Sequence, residues 1–244
     1  MNIHSNSQMF LDIETYPLKE GNFIDEYIKN SIDKRLKDPQ KIEENKAKII
    51  SKFALSPITS MISMVGIKNA DNIEIAINKE VIDYNKNIAF IDLLANEGIS
   101  VVLFDNEKLL LEYIIDLINQ AVMNSSIIVT FNGKKFDFPF ILYRALINKT
   151  TNVIYSYKEY IKPYAFEPHF DLRQLLDEGS LNEISHIINN TDFNDANGAD
   201  LIEMIDKNQY YDAVKKLVND LEKTEKLFDS LKNWVSFKTY ILEY

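Results

Sequence analysis

The sequence of 244 residues contains no cysteine, which excludes disulfide bonds, thiolate metal sites and cysteine nucleophiles. Its 3 histidines, His4, His169 and His186, are too scattered along the chain to suggest a zinc site. No apolar run approaches the roughly 20 residues that a membrane-spanning helix needs. The polar N-terminus also lacks the basic and apolar regions of a signal peptide. From these absences we expect a cytoplasmic protein.

An excess of positive charge is also missing, since the formal net charge is −10. Proteins that coat duplex nucleic acid bind mainly through lysine and arginine, so the acidic balance argues against that class. It remains compatible with an enzyme that holds one strand end through metals and a local basic patch. The length and the 46% hydrophobic content predict one large domain over residues 1–244.

Residues 9–17 are predicted to form a strand that carries two carboxylates, Asp12 and Glu14. Residues i and i+2 of a strand face the same side, so both acids share one face while Leu11 and Ile13 point into the core. Two close carboxylates repel each other unless a proton or a cation lies between them. A hard cation such as Mg²⁺ suits oxygen ligands, so the pattern predicts a metal site.

The segment after this strand, residues 18–55, is predicted to be an insertion of two helices. Lysines make it locally basic. A solvated helical face is the plainer interpretation, and an electrostatic track for a nucleic-acid backbone is the alternative.

The rest of the sheet is predicted from short apolar runs at residues 58–67, 73–77, 99–104 and 127–130. The first three fit an antiparallel meander, and the fourth is typical of a buried strand. Asp105 is predicted to cap a helix over residues 109–122, and residues 169–172 are a candidate edge strand.

A second motif at residues 131–139 reads Phe-Asn-Gly-Lys-Lys-Phe-Asp-Phe-Pro and follows the buried strand. Its Asn-Gly pair indicates a turn and its proline suits the first turn of a helix, which places Asp137 at a helix start. A loop leaving a buried strand favours function, although Asp137 could serve only as a helix cap. Lys134 and Lys135 fit a charged turn or contacts to a phosphate backbone equally well.

A further acid, Asp220, lies in a helical pattern that begins at Leu201 and continues to Leu231. It borders the apolar stripe that contains Leu217 and Leu221, so it can face the core-side cleft. An ordinary surface acid is the alternative. The tail at residues 234–244 is predicted to pack back as a strand or helix.

The three motifs together resemble those of the DEDD superfamily of 3′–5′ exonucleases, which have a ribonuclease H-like fold. The matches are at residues 10–17, at residues 131–139 and, in part, at residues 218–227. Within the superfamily the chain is most similar to stand-alone prokaryotic exonucleases related to the proofreading domain of family-B DNA polymerases. The resemblance implies an α/β fold with a mixed, five-stranded sheet flanked by helices.

The resemblance also implies a two-metal mechanism, in which Mg²⁺ or Mn²⁺ ions clamp the attacking and leaving oxygens of a phosphoryl displacement. Asp12 would bridge both ions, and Glu14 and Asp220 would hold the ion on the nucleophile side. Asp137 would act on the second ion, mostly through water.

The implied reaction is hydrolysis of single-stranded DNA from its 3′ end to nucleoside monophosphates. Thr15 would seat the terminal sugar, while Asn132 and Phe136 would contact or support the strand, with Lys135 on its backbone. The alternatives are an RNA exonuclease with the same site and a catalytically weak or inactive nucleic-acid-binding module of the same fold. The printed sequence contains no polymerase segment, so we expect any proofreading to act in trans, with a replication or repair protein, and expect a monomer.

One position departs from the family pattern. The polymerase-like branch has a tyrosine four residues before the last aspartate, where this sequence has Lys216. That tyrosine normally orients the attacking water. Lys216 lies one helical turn before Asp220, so it could hold the water or the phosphate, or pair with Asp220. A tyrosine from elsewhere, such as Tyr164, could instead fill the role, or the enzyme could be slow or inactive.

Overall fold

The structure is a computed structural model that describes residues 7–18, 21–32, 34–35, 37–50, 52–70, 72–82, 88–191 and 198–234. Six strands form one sheet: β1 (Gln8–Pro17), β2 (Ser60–Asn69), β3 (Asn72–Asn78), β4 (Ile99–Phe104), β5 (Ile127–Thr130) and β6 (His169–Asp171). Their order is β4-β3-β2-β1-β5-β6. The sheet is mixed, as predicted, and has one strand more than the predicted five because the candidate edge strand pairs with β5.

The predicted antiparallel meander is wrong at its last strand. β2 is antiparallel to both β1 and β3, but β4 pairs with β3 in parallel. Parallel neighbours need a crossover connection. Helix α3, Ala89–Asn96, lies on this connection, and the sequence patterns did not reveal it.

The other helices are α1 (Asn22–Ser31), α2 (Pro39–Ile50), α4 (Glu107–Met123), α5 (Asp137–Asn148), α6 (Tyr157–Tyr160), α7 (Leu181–Asn189), α8 (Gly198–Asp206) and α9 (Tyr210–Trp234). Helices α1 and α2 fall in the predicted insertion between β1 and β2. The predicted cap of α4 is wrong by one residue, because the Asn106 side chain accepts the bond from the Leu109 amide and Asp105 instead pairs with Lys79.

The single helical pattern predicted from Leu201 onward is two helices, α8 and α9. Asn208 adopts a left-handed conformation between them, which ends the first helix before the second begins. Residues 235–244, on which most of the predicted tail falls, lie outside the described residues.

Two apolar cores lie on opposite faces of the sheet, and β1 supplies side chains to both. Phe10 belongs to the core that contains the buried face of α9, whereas Leu11 and Ile13 belong to the core that contains the buried faces of α4 and α5. The predicted inward orientation of Leu11 and Ile13 is confirmed. The alternate residues of β1, including Asp12 and Glu14, therefore share the face that α9 approaches.

Across the described ranges, none of the helices combines the length and the apolar character that a bilayer crossing requires.

Candidate active site

The cleft between β1 and α9 depends on a glycine in β2. Gly66 lies directly opposite Asp12 in the antiparallel ladder of β1 and β2. A β-carbon at Gly66 would lie 2.8 Å from Leu221 Cδ1 and 3.0 Å from Leu217 Cγ, which is closer than packed carbon atoms allow. The missing side chain therefore lets α9 pack directly on the sheet beside the carboxylates. Sequence reasoning missed this role, for which a glycine inside a strand pattern was the available signal.

Three carboxylates meet in this cleft. One oxygen each from Asp12, Glu14 and Asp220 lies within 4.8 Å of the other two. Two of these acids come from neighbouring positions on one face of β1, and the third comes from the middle of α9, more than 200 residues later. The structure thus brings together three of the four acids that the motifs singled out, in an arrangement that can hold a metal ion.

The fourth acid, Asp137, reaches the same region from the start of α5. The parallel pairing of β1 with β5 ends at Phe10 and Val129. Beyond that point the Ile13 amide donates a hydrogen bond of 3.1 Å to Asp137 Oδ1, so the carboxylate continues the pairing where β5 has ended. The Asp137 residue is 2% exposed.

Burial and repulsion between carboxylates raise the pKa values of Asp12, Glu14 and Asp137. Burial raises the pKa of Asp12 well above its usual range, and the charge of Asp137 raises it further, as do the other two carboxylates. Burial likewise raises the pKa of Glu14. For Asp137, burial raises the pKa to about 7 even though backbone amides stabilise its charge. A site with these properties favours the binding of a cation.

Lys216 already supplies one positive charge to the cleft. Its Nζ donates to Glu14 Oε1 at 2.6 Å and to Asp220 Oδ2 at 2.9 Å, and the side chain is 9% exposed. Burial lowers the pKa of Lys216, but the charges of Glu14 and Asp220 outweigh this effect and hold the pKa above its ordinary value. The predicted pairing with Asp220 is present, and the contact with Glu14 is one that no local pattern could reveal.

Thr15 follows the acidic pair and is engaged with the backbone. Its hydroxyl donates to the Ala54 carbonyl at 2.6 Å, in a short 3-10 turn at Phe53–Leu55, and the residue is 8% exposed. The contact ties the end of the insertion to β1 beside Glu14.

The turn that follows β5 is fixed by Asp171. This carboxylate accepts hydrogen bonds from the amides of Asn132 at 2.7 Å and Lys134 at 3.0 Å. It also accepts a hydrogen bond from the Arg173 amide and so caps the short 3-10 turn that follows β6. Gly133 is required here, because a β-carbon would lie 2.3 Å from Thr130 Oγ1.

Lys134 is buried and points away from solvent. Its ammonium donates to the carbonyls of Lys162 and Ala165 and to Gln174 Oε1, at 2.8, 2.5 and 3.1 Å. Burial lowers the pKa of Lys134 to about 8. Of the two interpretations of the lysine pair, Lys134 therefore fits neither: it ties the turn to the loop before β6.

The neighbouring turn residues differ in exposure. Lys135 is exposed, Asn132 is partly exposed and has a left-handed backbone, and Phe136 packs against Phe140 with ring centroids 5.4 Å apart. These three residues precede Asp137 in the turn between β5 and α5.

Tyr164 is the tyrosine considered above for the water-orienting role, and α9 begins with two more, Tyr210 and Tyr211. Tyr164 is 74% exposed in the loop before β6. Tyr210 is buried and bonds Asn208, and Tyr211 bonds Glu97. Within the part of the chain that the structure describes, none of the three forms a hydrogen bond to Asp12, Glu14 or Asp220.

Comparison with known proteins places these observations in a family. A sequence model described as DNA polymerase family B, exonuclease domain, matches residues 31–160, just over half of the chain. DNA polymerase 1 of Sulfolobus acidocaldarius is 30% identical over 136 residues, which are 56% of this chain and 11% of that protein. The family B DNA polymerase from the hyperthermophilic archaeon Pyrobaculum calidifontis has a similar fold, with a TM-score of 0.57 at 12% identity. That likeness covers 93% of this chain and 24% of the polymerase chain.

The chain thus spans a small part of the length of either relative. The segment that the family model matches contains Asp137 and the turn before it, whereas Asp12, Glu14, Lys216 and Asp220 lie outside it. The structural likeness confirms the predicted ribonuclease H-like fold, and the family match confirms the predicted relation to polymerase proofreading domains. The chain belongs to the exonuclease-domain family of the family B DNA polymerases.

Proposed function

We propose that this chain is a divalent-metal-dependent 3′–5′ exonuclease that hydrolyses single-stranded DNA to nucleoside monophosphates. The observation that carries the proposal is the meeting of Asp12, Glu14 and Asp220 within 4.8 Å in a chain of this family. The buried Asp137 beside them supports it, because four acids with so few donors need cations from outside.

The donor set fits Mg²⁺ or Mn²⁺, since every candidate ligand is a carboxylate oxygen. The candidate ligands are Asp12, Glu14, Asp137 and Asp220. A bound divalent ion would stabilise the negative charge that develops on the attacking and leaving oxygens of the displaced phosphate. Two ions is the number that the family resemblance predicts, and it stays a prediction.

The protein groups around the acids would bind and orient the strand end. Lys135 is exposed and can reach a phosphate, and Asn132 and Phe136 flank it on the same turn. Thr15 is proposed to act through position, since its hydroxyl holds the Ala54 carbonyl rather than facing a sugar.

A second candidate function is a catalytically weak nucleic-acid-binding module of the same fold. One observation favours it: Lys216 forms ion pairs with both Glu14 and Asp220, two of the acids that would otherwise hold metal. Under this alternative the strand would still bind, and hydrolysis would be slow or absent.

We further propose that residues 1–244 form one domain that acts as a monomer in the cytoplasm, and that a replication or repair protein is its partner.

The test is digestion of a 5′-labelled single-stranded DNA with Mg²⁺ or Mn²⁺, with an RNA of the same sequence in parallel. We expect a ladder that shortens from the 3′ end, stops with EDTA and falls by about 1,000-fold with Asp12→Ala, a loss of several kcal/mol of transition-state stabilisation. Asp116→Ala is the matched control, because it removes an exposed acid on α4.

A ladder on RNA but not on DNA would change the substrate and keep the mechanism. If neither strand is shortened with either metal while the DNA still binds, the weak module is the correct function.

A further inference from the structure

Lys216 occupies the place between two predicted metal ligands. Its ammonium lies 2.6 Å from Glu14 Oε1 and 2.9 Å from Asp220 Oδ2, and its side chain is 9% exposed. We propose that the Lys216 ammonium permanently takes the place of the ion that Glu14 and Asp220 would share, so that this site holds one divalent ion. The inference rests on the proposed function, since it concerns how the same carboxylates divide their charge between a side chain and a metal.

Lys216 and a divalent ion would compete for the same oxygen atoms of Glu14 and Asp220. A divalent ion shared by Glu14 and Asp220 would need oxygen atoms that the ammonium already uses as acceptors. The two cations would also repel each other at such short range, in a cleft that water screens poorly. A lysine and an ion cannot both neutralise this pair without one moving away.

Lys216 is held in place by its two partners, Glu14 and Asp220. It lies one turn before Asp220 on α9, a spacing that brings the two side chains together on a helix. Its second partner, Glu14, sits on the central strand β1, so the ammonium joins two elements that pack tightly across Gly66. Swinging the lysine out would break both ion pairs and leave two half-buried carboxylates without it.

Asp12 and Asp137 lie on the other side of the cleft from the Lys216 ion pairs. Among the residues that the structure describes, no lysine or arginine forms an ion pair with Asp12 or Asp137. An oxygen of Asp12 lies within 4.8 Å of oxygens of Glu14 and Asp220, and Asp137 is 2% exposed, so this side of the cleft still offers carboxylate oxygens to a cation. We therefore assign the single ion to Asp12, with Asp137 beside it.

The consequence for the reaction is a division of roles within the site. The positive charge on the Glu14 and Asp220 side is covalently attached and does not depend on metal concentration. Lys216 is then a positioning residue that fixes these two carboxylates, while the exchangeable charge lies near Asp12.

The experiment counts bound Mn²⁺ by isothermal titration calorimetry and by electron paramagnetic resonance of the free ion, without substrate. We expect one Mn²⁺ per chain for the natural protein and two for Lys216→Met, which removes the charge and keeps the chain length. Lys215→Met is the matched control, because Lys215 precedes it on α9 and pairs with Glu97 near the surface. The control should bind one ion.

Two Mn²⁺ ions in the natural protein, or one ion in both the natural protein and Lys216→Met, would overturn the inference and leave the exonuclease proposal standing. No Mn²⁺ in any of the proteins, although circular dichroism shows them folded, would overturn both. The count in the natural protein distinguishes one ion from two even if Lys216→Met fails to fold, and Lys216→Gln provides a second variant.

Discussion

Glu107 and the acids of the cleft differ in how many hydrogen-bond and ion-pair partners the fold gives them. Glu107, at the start of α4, is 2% exposed and accepts hydrogen bonds from Arg144, Asn148 and the Ile62 amide. Asp12, Glu14 and Asp220 also lie close together in a poorly solvated cleft, but among the described residues the ion pairs of these three acids are those of Glu14 and Asp220 with Lys216.

The difference teaches how the protein separates structural charge from functional charge. The lone pairs of Glu107 are filled by protein donors, which leaves nothing for a ligand and joins α4, α5 and the start of β2. The cleft acids accept fewer hydrogen bonds, and the repulsion between their charges lowers the stability of the folded state. A carboxylate whose acceptor atoms are all used by protein donors is structural, whereas a carboxylate that lacks such donors belongs to the candidate site.

The largest expected effect comes from breaking the satisfied group. Glu107→Gln removes the charge that balances the buried Arg144 guanidinium, so we expect a loss of about 3–5 kcal/mol in the free energy of unfolding. Urea denaturation would measure it. Asp105→Asn is the control, because Asp105 lies two residues before Glu107 and its side chain is exposed, and it should change stability little. A loss below about 1 kcal/mol for Glu107→Gln would mean that the ion pair is not what stabilises this corner.

A second satisfied group, His169, provides a pH-dependent test. His169 is 0% exposed, and its Nδ1 and Nε2 lie 2.7 Å and 2.8 Å from the Tyr160 carbonyl and the Thr130 hydroxyl. A carbonyl can only accept, so the proton is on Nδ1 and Nε2 accepts from Thr130. Burial lowers the pKa of His169 to about 3, against about 6.5 in an unfolded chain.

The unfolded state therefore binds the proton more readily than the folded state between these two pH values. Stability should be unaffected by His169 above pH ~6.5 and should fall by roughly 1.4 kcal/mol per pH unit below it. Urea midpoints from pH 7 to pH 4.5 would show this slope, and His169→Gln should flatten it. His186→Gln, at an exposed histidine, should leave the slope as it is. Equal slopes for the natural protein and His169→Gln would contradict the assignment.

The smallest effect is expected from relieving the unsatisfied group. Asp12→Asn removes one of the repelling charges, so the metal-free protein should become more stable by about 1 kcal/mol, the opposite of the result at Glu107. Thermal unfolding in EDTA, followed by Mn²⁺ addition, would measure both sides of this trade. The natural protein should gain stability from Mn²⁺ by mass action, and Asp12→Asn should gain less. A variant that is less stable than the natural protein in EDTA would show that Asp12 has a structural role.

The predictable parts of the site are those encoded locally. Asp12 and Glu14 follow from the alternation of one strand, and Asp137 follows from a turn and proline at a helix start. Asp220 was a weaker prediction, because a position on a helix faces a site only through the packing of that helix. The Lys216 contact with Glu14 joins residues 202 positions apart, and the local sequence of neither segment predicts the contact.

The fold shows the same division. The insertion between β1 and β2 follows from periodicity, and the mixed sheet was implied by the family resemblance. The direction of β4 does not, because it depends on a crossover that includes the short helix α3 rather than on the pattern within β4. The burial of Lys134 is similarly tertiary: three acceptors from a distant loop and a later turn surround an ammonium that composition alone would place at the surface.

Gly66 sets the distance between α9 and the sheet at the site. It contributes no functional group, yet it sets the height at which Asp220 and Lys216 stand above Asp12, because Leu217 and Leu221 rest where a side chain would be. The width of the cleft is therefore set by the packing of α9 on β2. A single methyl group added there would raise α9 as a whole, and the spacing between carboxylates would change without any carboxylate being touched.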